Sequence, residues 1–179
     1  LRQDDEFLRD VDRARGQPDA LHAWWLGQSG FLVLWNQRMV LFDPYLSDSL
    51  TAKYAGTDKP HVRMTGRVVA PERLEGVDLV TSSHNHTDHL DAETLLTLLR
   101  ANPGLDLVIP EANRAFVCAR LGLEAGRPVG LNDGETREVK GLRVHGLPAA
   151  HDEVERDGHG RCRFMGFVVE IGPFRLYHA

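Results

Sequence analysis

Only two of the 179 residues are cysteine, Cys118 and Cys162. That is too few for a disulfide framework, so the expected setting is reducing and cytoplasmic. No apolar run approaches the roughly 20 residues a membrane span requires. The opening residues, Leu1-Arg2-Gln3-Asp4-Asp5-Glu6, are acidic and lack the apolar centre of a signal peptide. Leu1 is not an initiator methionine, so the native start is expected upstream. Positive charge is the scarcer sign, with 21 basic against 26 acidic residues and a net charge of −5, which argues against a nucleic-acid partner. No strand leads into a glycine-rich phosphate loop, which argues against a dinucleotide-binding sheet. No Gly-x-Ser-x-Gly elbow is present, so a serine nucleophile of that kind is not expected. The chain also shows no internal repeat and no low-complexity tract.

What is present suits one globular domain over residues 1–179, with residues 1–18 forming a helix and lead-in. Phe7, Leu8 and Val11 recur at helical spacing between Asp4 and Arg15, with Gly16 and Pro18 as stop signals. Leu21–Leu26, Phe31–Trp35 and Met39–Phe42 read as three strands joined by tight turns at Gly27–Gly30 and Asn36-Gln37. Residues 45–75 carry glycine, proline and polar groups without periodicity and read as one long loop. Val77–Thr81 and Leu105–Ile109 read as strands, each followed by a helix, the first capped by Asp91 and the second stopped by Gly122. The remainder reads as strands at residues 128–131, 136–139, 142–147, 164–171 and 174–177. Meander, βαβα, then meander predicts an α/β sandwich whose sheets are covered by helices.

The chemistry-bearing segment is Ser83-His84-Asn85-His86-Thr87-Asp88-His89-Leu90-Asp91, directly after an apolar strand. In extended chain, residues two apart point the same way, so His84 and His86 can share one metal ion. A tight turn after them would aim Asp88 and His89 at a second ion, at the separation of about 3.5–4 Å typical of two-metal hydrolytic sites. Neutral imidazoles with carboxylate oxygens suit Zn²⁺ and also Mn²⁺ or Fe²⁺. Asp91 reads as a helix cap rather than a ligand.

His84-x-His86-x-Asp88-His89 resembles the signature of the metallo-β-lactamase fold. Trp25-Leu26-Gly27-Gln28-Ser29-Gly30-Phe31, Asp43-Pro44-Tyr45-Leu46-Ser47, Pro148-Ala149-Ala150-His151-Asp152 and Leu176-Tyr177-His178-Ala179 resemble segments of one branch of that superfamily. That branch contains ascorbate-6-phosphate lactonase and related metal-dependent hydrolases, with N-acyl-phosphatidylethanolamine phospholipase D more distant. The resemblance runs from about residue 21 to the end. It implies an α/β (α+β) fold, a metallo-β-lactamase-like αββα sandwich of which this chain covers mainly the N-terminal half. It further implies that His151 joins His84 and His86 on the first ion, while Asp88 and His89 face the second. Asp43 stands either as a group orienting the histidines or as a plain turn residue before Pro44. Arg63, with Gln28, Ser29 and His61, is a candidate for lining the pocket and meeting an anionic substrate. His145, His22 and His178 read as structural, and His159 as a loop residue.

Two divalent ions would lower the pKa of a bound water to about 7 and supply hydroxide, with Asp88 and His86 as the catalytic candidates. The expected activity is hydrolysis of a small ester or lactone. The alternatives are a metal-dependent phosphodiesterase on a lipid or nucleotide, or a truncated, non-catalytic metal-binding fragment. The family pattern would next place an Asp bridging the ions, and later a last His, beyond Ala179. The second site is therefore expected to be incomplete in this chain. The rest of the fold is expected from a longer native protein, a complementing C-terminal half or a second copy. Half a sandwich is also expected to expose the apolar face of a sheet.

Overall fold

The computed structural model describes residues 2–179. Helix α1 spans Asp4–Arg15, within the bounds its sequence predicts, with Asp4, Asp5 and Glu6 in the first turn and Arg13 and Arg15 in the last. Strands β1 (His22–Gly27), β2 (Gly30–Trp35) and β3 (Arg38–Phe42) follow as antiparallel neighbours. Then come the short helix α2 (Ser49–Tyr54), a 3-10 turn at Pro71–Arg73, strand β4 (Leu79–Thr81) and helix α3 (Ala92–Ala101). Strand β5 (Asp106–Pro110), a 3-10 turn at Glu111–Asn113 and helix α4 (Arg114–Leu121) complete the middle. The last strands are β6 (Val129–Leu131), β7 (Thr136–Val139), β8 (Leu142–Pro148), β9 (Met165–Ile171) and β10 (Phe174–His178).

These strands form two sheets, one of six strands in the order β1-β2-β3-β4-β5-β6 and one of four in the order β10-β9-β8-β7. Hairpins pair β1, β2 and β3 antiparallel; β3 to β6 run parallel because helices and loops carry the chain back between them. Alternation along the strands divides the six-stranded sheet into two buried faces. Leu32, Leu34, Met39, Leu41, Leu107 and Ile109 meet the helices, where Phe7 and Val11 of α1, Leu95 and Leu98 of α3, and Val117 and Leu121 of α4 cover them. Val33, Val40, Phe42, Leu79 and Val108 point the other way, onto Val144, Phe167, Val169 and Ile171 of the four-stranded sheet. The order is thus helices, sheet, sheet.

The structure departs from the sequence reading in two places. Residues 45–75 are not a plain loop: Ser49–Tyr54 is helical, with its hinge tied down by a bond from the Ser49 hydroxyl to Asp91 (2.9 Å) and by the Tyr45 hydroxyl, which accepts from the Leu50 amide (3.0 Å). A six-residue helix is too short to show periodicity. The outer face of the four-stranded sheet is also less apolar than expected. Glu170 there pairs with His145 (3.1 Å), Arg143 (3.5 Å) and Arg175 (3.0 Å), and the exposed apolar groups are Leu147 and Tyr177. Among the described residues no helix is long and apolar enough to cross a membrane.

Candidate metal centre

The site lies at the carboxyl ends of β3 and β4, the edge where parallel strands leave their last side chains free for ligands. Asp43 follows β3, and Thr81, Ser82 and Ser83 end or follow β4. Asp43 holds a left-handed backbone, φ 38°. It is fully buried and its carboxylate accepts from the Thr81 hydroxyl (2.7 Å), the Ser83 amide (3.1 Å to each oxygen), the Ser83 hydroxyl and His89 Nδ1 (2.7 Å). Burial pushes this carboxyl up, but the His89 hydrogen bond, the neighbouring imidazoles His178 and His89, and Ser83 outweigh it and hold its pKa down at about 2.

The motif then turns tightly, with the His89 and Leu90 amides both donating to the His86 carbonyl (3.1 and 2.7 Å). His84 and His86 rings lie 4.6 Å apart between centroids, and His84 and His89 rings 4.0 Å apart. His151, delivered by the segment after β8, stands 5.1 Å from the His86 ring. Phe164 packs against three of these rings, at 4.9 Å from His84, 5.9 Å from His86 and 5.8 Å from His151. Asp88 reaches within 3.8 Å of His89 Nε2. Burial, with the charges of His89 and His86, lowers His84 to about 4, so its imidazole is neutral at physiological pH. Burial also disfavours protonated His89, but the bond and charge of Asp43 prevail and its pKa is raised.

Each sequence-predicted residue can now be placed. His84, His86, His89 and His151 are brought together ring by ring, Asp88 lies 3.8 Å from His89 Nε2, and Asp43 sits behind His89 on its Nδ1. Ligand-type atoms of Asp43, His84 and His89 lie within 4.8 Å of one another. Gln28 and Ser29 line a cleft of about 550 Å³ together with Trp25, Met64, Thr65 and Asp88. Arg63 donates to the Tyr45 and Ser47 carbonyls (2.9 Å each) and lies over the Tyr45 ring, fastening the 45–75 segment, while its Nε is buried without a partner. His61 sits by Tyr45 and Thr51 instead of the cluster. His145 bridges Thr136 and Glu170 on the outer sheet face. His178 contacts the Ser29 carbonyl (2.6 Å) and stacks on Phe42.

Sequence reasoning missed Ser83, Thr81, Phe164 and Arg120. Arg120 of α4 donates from one nitrogen to the Asn85 and Leu90 carbonyls (3.1 and 3.3 Å), gripping both ends of the motif loop. Nothing in a helix reading of Phe116-Val117-Cys118-Ala119-Arg120 signals that role. The hydroxyls adjoining the motif were legible only as strand ends.

A helix-covered pair of sheets with an imidazole cluster at the strand ends defines a protein of the metallo-β-lactamase type. Residues 23–179 match the family described as the Beta-lactamase superfamily domain, and the chain belongs to that family. It is similar to a UPF0173 metal-dependent hydrolase of Pelotomaculum thermopropionicum, 29% identical over 160 residues, covering 86% of this chain and 59% of that protein. A second UPF0173 metal-dependent hydrolase, from Thermoplasma acidophilum, is 28% identical over 156 residues, covering 87% of this chain and 58% of its own. The chain thus spans under two thirds of these relatives' length. Among solved structures it is similar to a putative metal-dependent hydrolase of Parabacteroides distasonis, with TM-score 0.58 and 15% identity over 89% of this chain and 60% of that one. A diiron β-hydroxylase of Streptomyces venezuelae gives TM-score 0.63 at 21% identity, over 90% of this chain and 30% of that one. At these identities the structural likeness speaks for the fold alone.

Proposed function

We propose that this chain carries the metal centre of a metal-dependent hydrolase acting on a small ester or lactone. The observation that carries the reading is a run of four imidazoles, with neighbouring ring centroids 4.0–5.1 Å apart, beside Asp88, which lines the adjoining cleft. The donor set fits divalent metal. His84 has Nδ1 engaged by the Ser83 hydroxyl (2.9 Å) and His89 has Nδ1 engaged by Asp43, which leaves Nε2 of each ring free to coordinate. Depression of His84 favours the neutral form a metal needs.

His84, His86 and His151 would hold a first ion, and Asp88 and His89 would face a second, with those two as its donors among the described residues. Asp43 belongs behind this set: a fully buried carboxylate whose oxygens already accept four groups has its lone pairs committed to orienting His89 and Ser83. Zinc and manganese suit imidazole and carboxylate donors, and iron is compatible with them. When bound there, divalent ions would supply a hydroxide-type nucleophile at neutral pH and polarise the carbonyl oxygen of the substrate. This chain's residues do the remaining work. The 550 Å³ cleft is of a size for a small molecule. Trp25, held by its indole bond to the Gln28 carbonyl (2.8 Å), lines the cleft, and Phe164 packs against His84, His86 and His151. The free thiols Cys118 and Cys162 fit a reducing, cytoplasmic setting.

The test is metal stoichiometry and hydrolysis on protein of verified mass, with a lactone, an aryl ester and bis-p-nitrophenyl phosphate as substrates. One to two ions per chain, with lactone or ester turnover abolished by chelation and by His86→Ala, is the expected result. Full turnover in metal-stripped protein overturns the proposal, and turnover confined to the phosphodiester overturns its substrate class.

A further inference from the structure

Asp88 stands between two cavities of different character. On one side is the 550 Å³ cleft walled by Trp25 and by Met64, which is 95% exposed. On the other is a cavity of about 270 Å³ that shares His86 and Asp88 with the cluster and is otherwise lined by Lys53 and Tyr54 of α2, Thr87, and Arg120 of α4 among others. From this second cavity we infer an oxyanion subsite: Lys53 and Arg120 receive a carboxylate or phosphate group carried by the substrate. The inference rests on the hydrolase reading for its substrate, but not for the binding itself.

Charge and geometry carry the argument. In a chain with an excess of acids, Lys53 and Arg120 form no ion pair with an acidic side chain among the described residues. Asp88 is the one acid lining the cavity, and its carboxylate lies 3.8 Å from His89 Nε2. Arg120 is preorganised. One nitrogen is fixed on the Asn85 and Leu90 carbonyls and the guanidinium lies over the Phe116 ring at 5.0 Å, which leaves its other nitrogens as donors at little entropic cost. Lys53 is poised over the Tyr54 ring at 5.0 Å, and Thr87 adds a hydroxyl. The volume holds one carboxylate or phosphate with a few waters. A substrate lying in the larger cleft reaches this cavity by passing Asp88, so its scissile bond falls beside Asp88 and His86 and its charged arm beyond them. Such a substrate has an apolar portion on the Trp25 side and an oxyanion on the Lys53 side.

Amide-shift titration of the metal-free protein with acetate and, separately, inorganic phosphate reads the subsite without turnover. Saturable shifts at Lys53, Tyr54, Thr87 and the Arg120 side chain are expected, weakened roughly tenfold in Lys53→Met and by high salt, and unchanged in Lys140→Met on the β7–β8 turn. The tighter of the two probes identifies which oxyanion the substrate carries. Lys53 is the variant of choice because Arg120 also holds the motif loop. Shifts absent with both probes, or confined to His84, His86, His89 and His151, overturn the inference. In the loaded protein, Lys53→Met is expected to raise the KM of an ester bearing a carboxylate about tenfold relative to that of its neutral counterpart, and an unchanged ratio also overturns it. Anion binding with no hydrolysis of any ester leaves the subsite standing and defeats the hydrolase reading.

Discussion

Replacement of Asp43 by Asn tests whether this residue is built to orient its neighbours or merely waits for a metal. The carboxylate is fully buried and accepts from Thr81, Ser83 twice and His89. Asn is nearly isosteric, but one oxygen becomes an amine. With the amine toward Thr81, that hydroxyl can rotate to accept, while the Ser83 amide and His89 lose a charged acceptor. Hydrogen bonds to charged groups contribute about 1.5–3 kcal/mol each and an orphaned buried donor costs about 1–3 kcal/mol, so the metal-free variant should lose about 2–4 kcal/mol. At a urea slope of about 1–3 kcal/mol/M, the unfolding midpoint in chelator at pH 7 falls by roughly 1–2 M. Acid provides a second reading. The folded pKa of about 2 lies below the ordinary 3.8, so the carboxylate's contribution is present in full above 3.8 and fades as pH falls toward 2. The gap between wild type and variant should therefore narrow by about 2 kcal/mol between pH 5 and pH 2. If Asp43 were a metal ligand with no structural role, removing a buried charge would leave the metal-free protein as stable or stabilise it. Either outcome, or a gap that widens on acidification, refutes the reasoning.

Three further outcomes follow from the contacts. Asp91 caps α3 by accepting from the Thr94 amide (3.2 Å) and also holds the Ser49 hydroxyl, so Asp91→Ala should cost about 1–2 kcal/mol in urea unfolding. A Cβ at Gly146 would stand 2.7 Å from the Asn132 carbonyl oxygen and against the Met165 methyl, and only the methionine can move aside. Gly146→Ala should therefore lower stability by about 1–3 kcal/mol by thermal unfolding. Arg63→Met removes both bonds to the Tyr45 and Ser47 carbonyls and should speed limited proteolysis within residues 55–70 several-fold, with α1 and the sheets still protected.

The sequence by itself determined the local elements and the presence of a metal-type motif. Period-3.6 spacing of Phe7 and Val11 set α1, Asp91 and Gly122 marked the cap of α3 and the end of α4, and the apolar runs bounded by turn residues set β2 and β3. These signals are legible because each depends on residues within a turn or two of one another. The tight turn from His86 to His89 belongs to the same class. Tertiary structure alone decided the rest. Asp43 meets His89 across 46 residues, and His151 comes beside His86 only because the four-stranded sheet packs on the six-stranded one. Arg63 reads as a pocket cation in sequence, yet in the fold two of its nitrogens donate to the Tyr45 and Ser47 carbonyls 16 to 18 residues away. The outer face of the second sheet looked set to be apolar until the cross-strand pairing of β8, β9 and β10 gathered Arg143, His145, Glu170 and Arg175 into one ionic group. Periodicity reports which side of an element is buried; it carries no information on which distant element does the burying, and that is where the surroundings of the metal centre are made.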